Sequence, residues 1–442
     1  MTRSCPALLV AAPASGQGKT TLTAALARLH TRAGRRVRVF KCGPDFLDPF
    51  WHTLASGAPV HQIDLWMTGE ADAQQRLHEA AATADLILVE GVMGLFDGQP
   101  SAADLAMRLR LPVLAVIDAS SMAGTFGALA FGLQHYRPGL PWAGVVANRV
   151  ASERHAAMLQ EAITAPSVCL GTLRRDPAWS LPERHLGLTV ATELGDALER
   201  LDTAADALAQ TPLGQMSLAD WQRWSVVFDP PPRVPVPRLL EGRTVAVARD
   251  RAFCFIYQAN LDVLAELGAQ VVFFSPLDDA SLPVCDAVWL PGGYPELHVQ
   301  ALSANGSMRA SLQLHTALGR PVWAECGGMM ALFDTLQTAD GVDHPAFGLL
   351  PGRTVLQKRL AGLGPQQLPI GAQVLRGHTF HYSVAHTPLV PVAHSSRSHP
   401  GPLPEPGEAL YQHGSVRASY FHGWFASSPE ATAALFLPAT AP

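Results

Sequence analysis

The sequence predicts an α/β protein of two domains, each a largely parallel sheet covered by helices. Three observations point there. Short apolar runs bounded by turn residues alternate with amphipathic stretches. That alternation stops at a proline-rich segment, residues 228–242, and then restarts. And 442 residues are more than one ordinary core accommodates.

In the first half, ALLVAA (7–12), RVRVFKC (36–42), DLILVEG (85–91), PVLAVIDAS (112–120) and WAGVVANRV (142–150) read as strands. Most are apolar along their length rather than alternating, as strands covered on both faces must be. TTLTAALARLHTRAG (20–34) carries a helical period and ends in a glycine cap at Gly34. FDPPPRVPVPRLLEG (228–242) is extended and reads as a linker, giving domains 1–230 and 243–442 joined by 231–242. The second half opens with RTVAVARD, a helix over YQANLDVLAELGA, then the strands QVVFFSPL, CDAVWLPGG and RPVWAEC. The stretch 335–420, rich in Gly, Pro and His, shows little legible period.

Composition narrows the function. A net charge of −5 leaves no basic footprint, so nucleic acid is not the expected partner. No run of about eighteen apolar residues offers a membrane span. The six cysteines, at 5, 42, 169, 254, 285 and 326, form no CxxC pair and no zinc spacing, which suits a reducing, cytoplasmic compartment. The start, MTRSCPALLVAAPAS, superficially resembles a signal peptide. Its apolar run is short, however, and leads straight into a phosphate loop that cleavage would destroy.

That loop is APASGQGKTT (12–21), between the first strand and the first helix. Gly16 and Gly18 let backbone N–H groups close around phosphate oxygens; Lys19 supplies charge and the Thr20 hydroxyl is placed for Mg²⁺. Ser15, Gly16, Gly18, Lys19, Thr20 and Thr21 are therefore the ATP-binding candidates. Pro13 stands where GxxxxGK[ST] has its first glycine. KCGPDFLDPF places Asp45 and Asp48 after the second strand, and VEGVMGLFDG places Glu90 and Asp97 after the third. One such acid is usually a solvated loop residue; four at adjacent strand ends beside a phosphate loop point to metal and substrate handling. Asn148, late in its strand, is either an adenine contact or a turn residue.

A second chemistry lies in VWAECGGMM (322–330), where a strand runs into Cys326 and two glycines open a helix. This is the layout of a nucleophile elbow. The helix end would favour thiolate, and Gly327 N–H could stabilise an oxyanion, with LPGGYPE (290–296) offering a second donor at Gly293. A nucleophilic thiol needs a base, and SVRASYFHGWF (415–425) supplies His422 after an alternating run.

Ten motifs in this order resemble the cobyrinic acid a,c-diamide synthase family. They are AAPASGQGKTT, KCGPDFLDPF, VEGVMGLFDG, LPERHLGL, VARDRAFCFIY, FFSPLDD, LPGGYPEL, AECGGMM, RGHTFHYS and ASYFHGWF. The resemblance implies a dethiobiotin-synthetase-like P-loop domain followed by a class I glutamine amidotransferase domain. It also implies glutamine, ATP with Mg²⁺ and a corrinoid as ligands. Carried over residue by residue, Cys326 is the nucleophile and His422 its base; Thr20, Glu90 and Asp45 serve metal or phosphate; Asp48 and Asp97 lie nearer the corrinoid and its acyl phosphate. Cobyrinate is the expected ring, cobalt-free hydrogenobyrinate the alternative, and a homodimer stays open. Cobyric acid synthase and a partition-type regulatory ATPase are the more distant readings. Two departures stand out. Trp424 occupies the place of the acid in the H-x-E of fully equipped class I glutaminases, which predicts a Cys–His dyad. Thr379 stands where the family usually shows glutamate.

Overall fold

In a computed structural model of the chain, residues 1–184, 187–188, 194–232, 235–398 and 407–438 are described; residues 185 and 186 of the LPERHLGL motif lie outside them. The described chain divides into two compact units, Met1–Pro232 and Arg233–Pro442.

In the first unit, strands β1 (Arg3–Ala11), β2 (Val37–Cys42), β3 (His61–Ile63), β4 (Leu86–Glu90), β5 (Val113–Asp118), β6 (Trp142–Val150) and β7 (Cys169–Arg174) run in the order β3-β2-β4-β1-β5-β6-β7. All neighbouring pairs along this path are parallel. An eighth strand, β8 (Ser225–Phe228), joins the outer end of β1 antiparallel. The apolar runs make sense here. Ala7, Leu9 and Ala11 enter one core with Ile87 and Val89, while Leu8 and Val10 enter the other with Leu86 and Leu88. Both faces are buried, so both parities must be apolar. β1 lies between β4 and β5, so chain order reverses beside it, and helix α1 (Lys19–Arg32) begins at that switch point.

The second unit repeats the scheme. Strands β9 (Thr244–Ala248), β10 (Gln270–Phe274), β11 (Ala287–Leu290) and β12 (Val322–Glu325) form a parallel run in the order β10-β9-β11-β12. Two later strands, β15 (Ala409–His413) and β16 (Val416–Ser419), extend it past β12. Between them in sequence, 333–398 is built from short and mostly antiparallel strands, among them the hairpin β13 (Gly362–Ile370) and β14 (Gln373–His381). β14 pairs with the two-residue strand β17 (His422–Gly423), which brings a late segment to the end of the main sheet.

Candidate active sites

The crevice of the first unit is built from the ends of β1, β2 and β4. Gly18 has φ +100 and would drive a Cβ into Asn148, so glycine is required twice over there. No acid sits in the first turn of α1, which leaves its positive end for an anion. Lys19 Nζ donates to the carbonyls of Ala14 (3.1 Å) and Met93 (2.7 Å). Burial, and then the charge of Lys41, push its ammonium below the ordinary lysine value; a bound phosphate would reverse that shift. Ser15 and Gly16 are exposed at the loop tip, and Thr20 and Thr21 open α1.

Thr20 Oγ1 donates to Glu90 Oε1 at 2.7 Å. Glu90 also meets Lys41 Nζ (3.2 Å) and His52 Nε2, and it is fully buried. Burial opposes its ionisation, but Lys41, His52 and Thr20 overcome that and hold the carboxyl well below the usual range. Asp48 pairs with Lys41 at 2.6 Å, yet burial and the charges of Asp45 and Glu90 push its carboxyl up. Lys41 stays charged because three acids outweigh the cost of its burial. Asp97 accepts from Gly94 N (2.9 Å) and acts on Lys19. All four predicted acids thus share one crevice.

Two assignments change in detail. Asp45 Oδ1 takes the N–H groups of Leu47 (2.8 Å) and Asp48 (3.0 Å), so it caps the turn that leads into α2 (Asp48–Ser56). Among the described residues no three His, Cys, Asp or Glu side chains form a metal cluster. The oxygen pair Thr20 and Glu90 does suit a hard cation that takes its other ligands from phosphates and water. Asn148 donates to Gln17 O (2.9 Å) and accepts from Arg149 N (2.9 Å), and so braces the loop. Lys41 and His52 were missed from sequence. Lys41 gave one signal, a lysine next to last in a strand that leads to the phosphate-loop side.

The second site is an elbow. Cys326 has φ 45 and ψ −107, in a region seldom occupied by non-glycine residues, between β12 and the helix Gly327–Leu332. Its N–H donates to Ser419 O (2.8 Å), which ties the turn to β16. A Cβ on Gly327 would stand 2.9 Å from Gly293 N, so the two proposed oxyanion donors share one small space. The VARDRAFCFIY motif holds that space open: Tyr294 N donates to Ala252 O (2.9 Å) and Phe255 N to Gly292 O (3.0 Å).

The expected thiolate is not what the structure favours. Cys326 is 5% exposed, and burial, helped by the carboxyl of Glu296, pushes the thiol well above its ordinary value. The Gly327 N–H at the start of the helix pulls the other way but does not offset burial. His422 is equally buried; burial, and then its neighbours His378 and His381, push it well below the ordinary histidine value. Thiol and imidazole are therefore both neutral. The His378 ring stacks on His422 with centroids 4.9 Å apart and 15° between planes.

The Thr379 departure also finds a partner. Thr379 Oγ1 donates to Glu408 Oε1 (2.8 Å), and His381 Nε2 is 3.0 Å from the same oxygen. A carboxylate thus reaches this position from the residue just before β15. Glu325 and Asn260, which hold the chain around His422, were not singled out from sequence. A glutamate ending a buried strand was the available signal.

Residues 8–188 match the CobQ/CobB/MinD/ParA nucleotide binding domain, and 244–430 match the CobB/CobQ-like glutamine amidotransferase domain. The chain is 54% identical to hydrogenobyrinate a,c-diamide synthase of Pseudomonas aeruginosa, over 98% of each chain. It is likewise 54% identical to the protein of that name in Stutzerimonas stutzeri, covering 99% of this chain and all of the other. To cobyrinate a,c-diamide synthase of Herminiimonas arsenicoxydans it is 46% identical, over 99% of this chain and 98% of the other. The phosphate-loop crevice and the cysteine elbow thus sit in a chain that belongs to the a,c-diamide synthase family of glutamine-hydrolysing, amide-forming ligases.

Proposed function

We propose that the chain amidates the c and a acetate carboxylates of a corrin ring, using ATP in the first unit and glutamine in the second. The observation that carries this is the presence on one chain of a crevice of buried ion pairs beside a phosphate loop and of a buried thiol on a strand-to-helix elbow, with buried His422 in the same unit.

The chemistry needs both. Oxide is a poor leaving group, so a carboxylate must first be activated. Its oxygen attacks the γ-phosphorus of ATP, ADP leaves, and an acyl phosphate forms. Ammonia then attacks the acyl carbon and phosphate departs. Lys19 and the N–H groups of the loop bind the phosphates and offset charge in the transition state. Thr20 and Glu90 would hold Mg²⁺, which neutralises phosphate charge when bound. Asp48 and Asp97 are assigned to the acceptor side of the crevice. In the second unit Cys326 Sγ attacks the amide carbon of glutamine while its proton passes to His422 and on to the departing ammonia. The oxyanion rests on the N–H groups of Gly293 and Gly327, and water releases glutamate from the thioester. Because both groups start neutral, charge appears only as the bond forms.

The relatives at 54% identity are named for the cobalt-free ring and the one at 46% for the cobalt ring, which favours hydrogenobyrinate over the cobyrinate expected from sequence. Six free thiols and no disulfide among the described residues support a cytoplasmic setting. Incubation with ATP, glutamine and each ring in turn, with products weighed by mass spectrometry, tests the assignment. The expected product carries two amides; no doubly amidated product from either ring would sink it.

A further inference from the structure

We propose that Glu325 positions the base of the glutaminase site, in the place of the acid that an H-x-E arrangement would put at Trp424. The inference rests on the reading of His422 as that base.

Glu325 is 1% exposed. Its Oε1 accepts from Trp323 Nε1 at 2.8 Å and from Gly423 N at 3.2 Å. Gly423 directly follows His422. The clamp is completed from other elements: Asn260 Nδ2 donates to Gly423 O (2.8 Å), Asn260 Oδ1 accepts from Phe425 N (2.9 Å), and Trp424 N donates to Arg376 O (2.7 Å). The backbone that carries the imidazole is therefore fixed by the Glu325 and Asn260 side chains as well as by its pairing with β14, while the ring stacks on His378 and lies against Gly292, where a Cβ would collide with His422 Cε1.

Glu325 also precedes the nucleophile in the chain. Its main chain ends β12, and its side chain holds the residue after the base. One residue thus links the strand that leads into the nucleophile to the residue that follows the base. A carboxyl buried in a strand otherwise made of Val, Trp and Ala costs stability unless it does something an apolar residue cannot. Here that is to accept two N–H groups at a fixed point.

The test compares Glu325→Leu, Glu325→Gln and Asn260→Ala in the full chain. Melting temperature, kcat and KM for glutamine, and synthesis driven by ammonia are measured for each. Removing the acceptor should lower glutamine-dependent kcat about 100-fold, the usual cost of a small misplacement of a reacting group. KM for glutamine and ammonia-driven synthesis should stay within about twofold of the parent. Glu325→Gln, whose amide oxygen can still accept both N–H groups, should keep kcat within about threefold. Asn260→Ala, which releases Gly423 O, should follow Glu325→Leu, and it carries the test if the leucine variant does not fold. A parental kcat in Asn260→Ala or in Glu325→Leu would overturn the proposal. So would an equal fall with ammonia, or a glutamine variant as slow as the leucine one. His422→Ala separates the two readings: if it keeps glutamine-dependent kcat, the base assignment itself is wrong whatever Glu325 does.

Discussion

The two sites handle burial in opposite ways. The phosphate crevice buries Lys41, Glu90 and Asp48 together, and there attraction outweighs burial for Lys41 and Glu90, which stay charged, while the Asp48 carboxyl is pushed up. At the elbow, desolvation wins, and Cys326, His422 and Glu325 are all pushed toward their neutral forms. The contrast follows from what each must bind. A site for polyanions needs standing charge, whereas a site that releases ammonia must keep its nitrogen unprotonated and so gains by burying its groups away from water.

The largest break in this comparison comes from the crevice. Lys19→Ala should lower synthesis about 10³-fold with glutamine and with ammonia alike, since it removes charge from the phosphoryl transition state. Phosphate release measured with both nitrogen sources would show it; survival with either one would contradict the role. Next, Lys41→Met leaves Asp48 and Glu90 buried without their cation, and should cost the first unit about 3–5 kcal/mol in denaturant unfolding. A loss below about 1 kcal/mol would mean that the ion pairs do not hold that crevice.

The elbow predicts pH effects of definite sign. The base must be unprotonated to act and its proton affinity is depressed. Glutamine hydrolysis should therefore persist below the ordinary histidine value of 6.5, and an acid limb at or above 6.5 would contradict a buried base. The smallest effect concerns Glu325, which burial pushes from 4.5 to about 8. The folded chain then binds more protons than the unfolded one between those values. Its contribution to stability is fully present below 4.5 and is lost as pH rises through 8. Glu325→Gln should flatten the fall of melting temperature over that window.

Much of this was legible in sequence for a physical reason. A strand covered on both faces must be apolar at every position, so β1, β4 and β5 announced themselves, and the loops following such strands carry the chemistry. Gly18, Lys19, Glu90 and Cys326 all lie at those ends. The region 333–398 did not, because strands such as β13 are only partly buried and β14 takes one of its partners from a segment far away in the chain. His52 and Asn260 were silent, and Lys41 nearly so, for a related reason: their roles exist only once distant segments meet. The preference for thiolate failed because local sequence shows a helix end but not how deeply a thiol is buried.

One measurement reaches the central claim, that the thiol serves only to make ammonia for the phosphate crevice. Cys326→Ser is assayed for corrinoid amidation at saturating glutamine and, separately, at high ammonia. Activity should vanish with glutamine and remain within about twofold of the parent with ammonia. An equal loss with both nitrogen sources would contradict the division of labour.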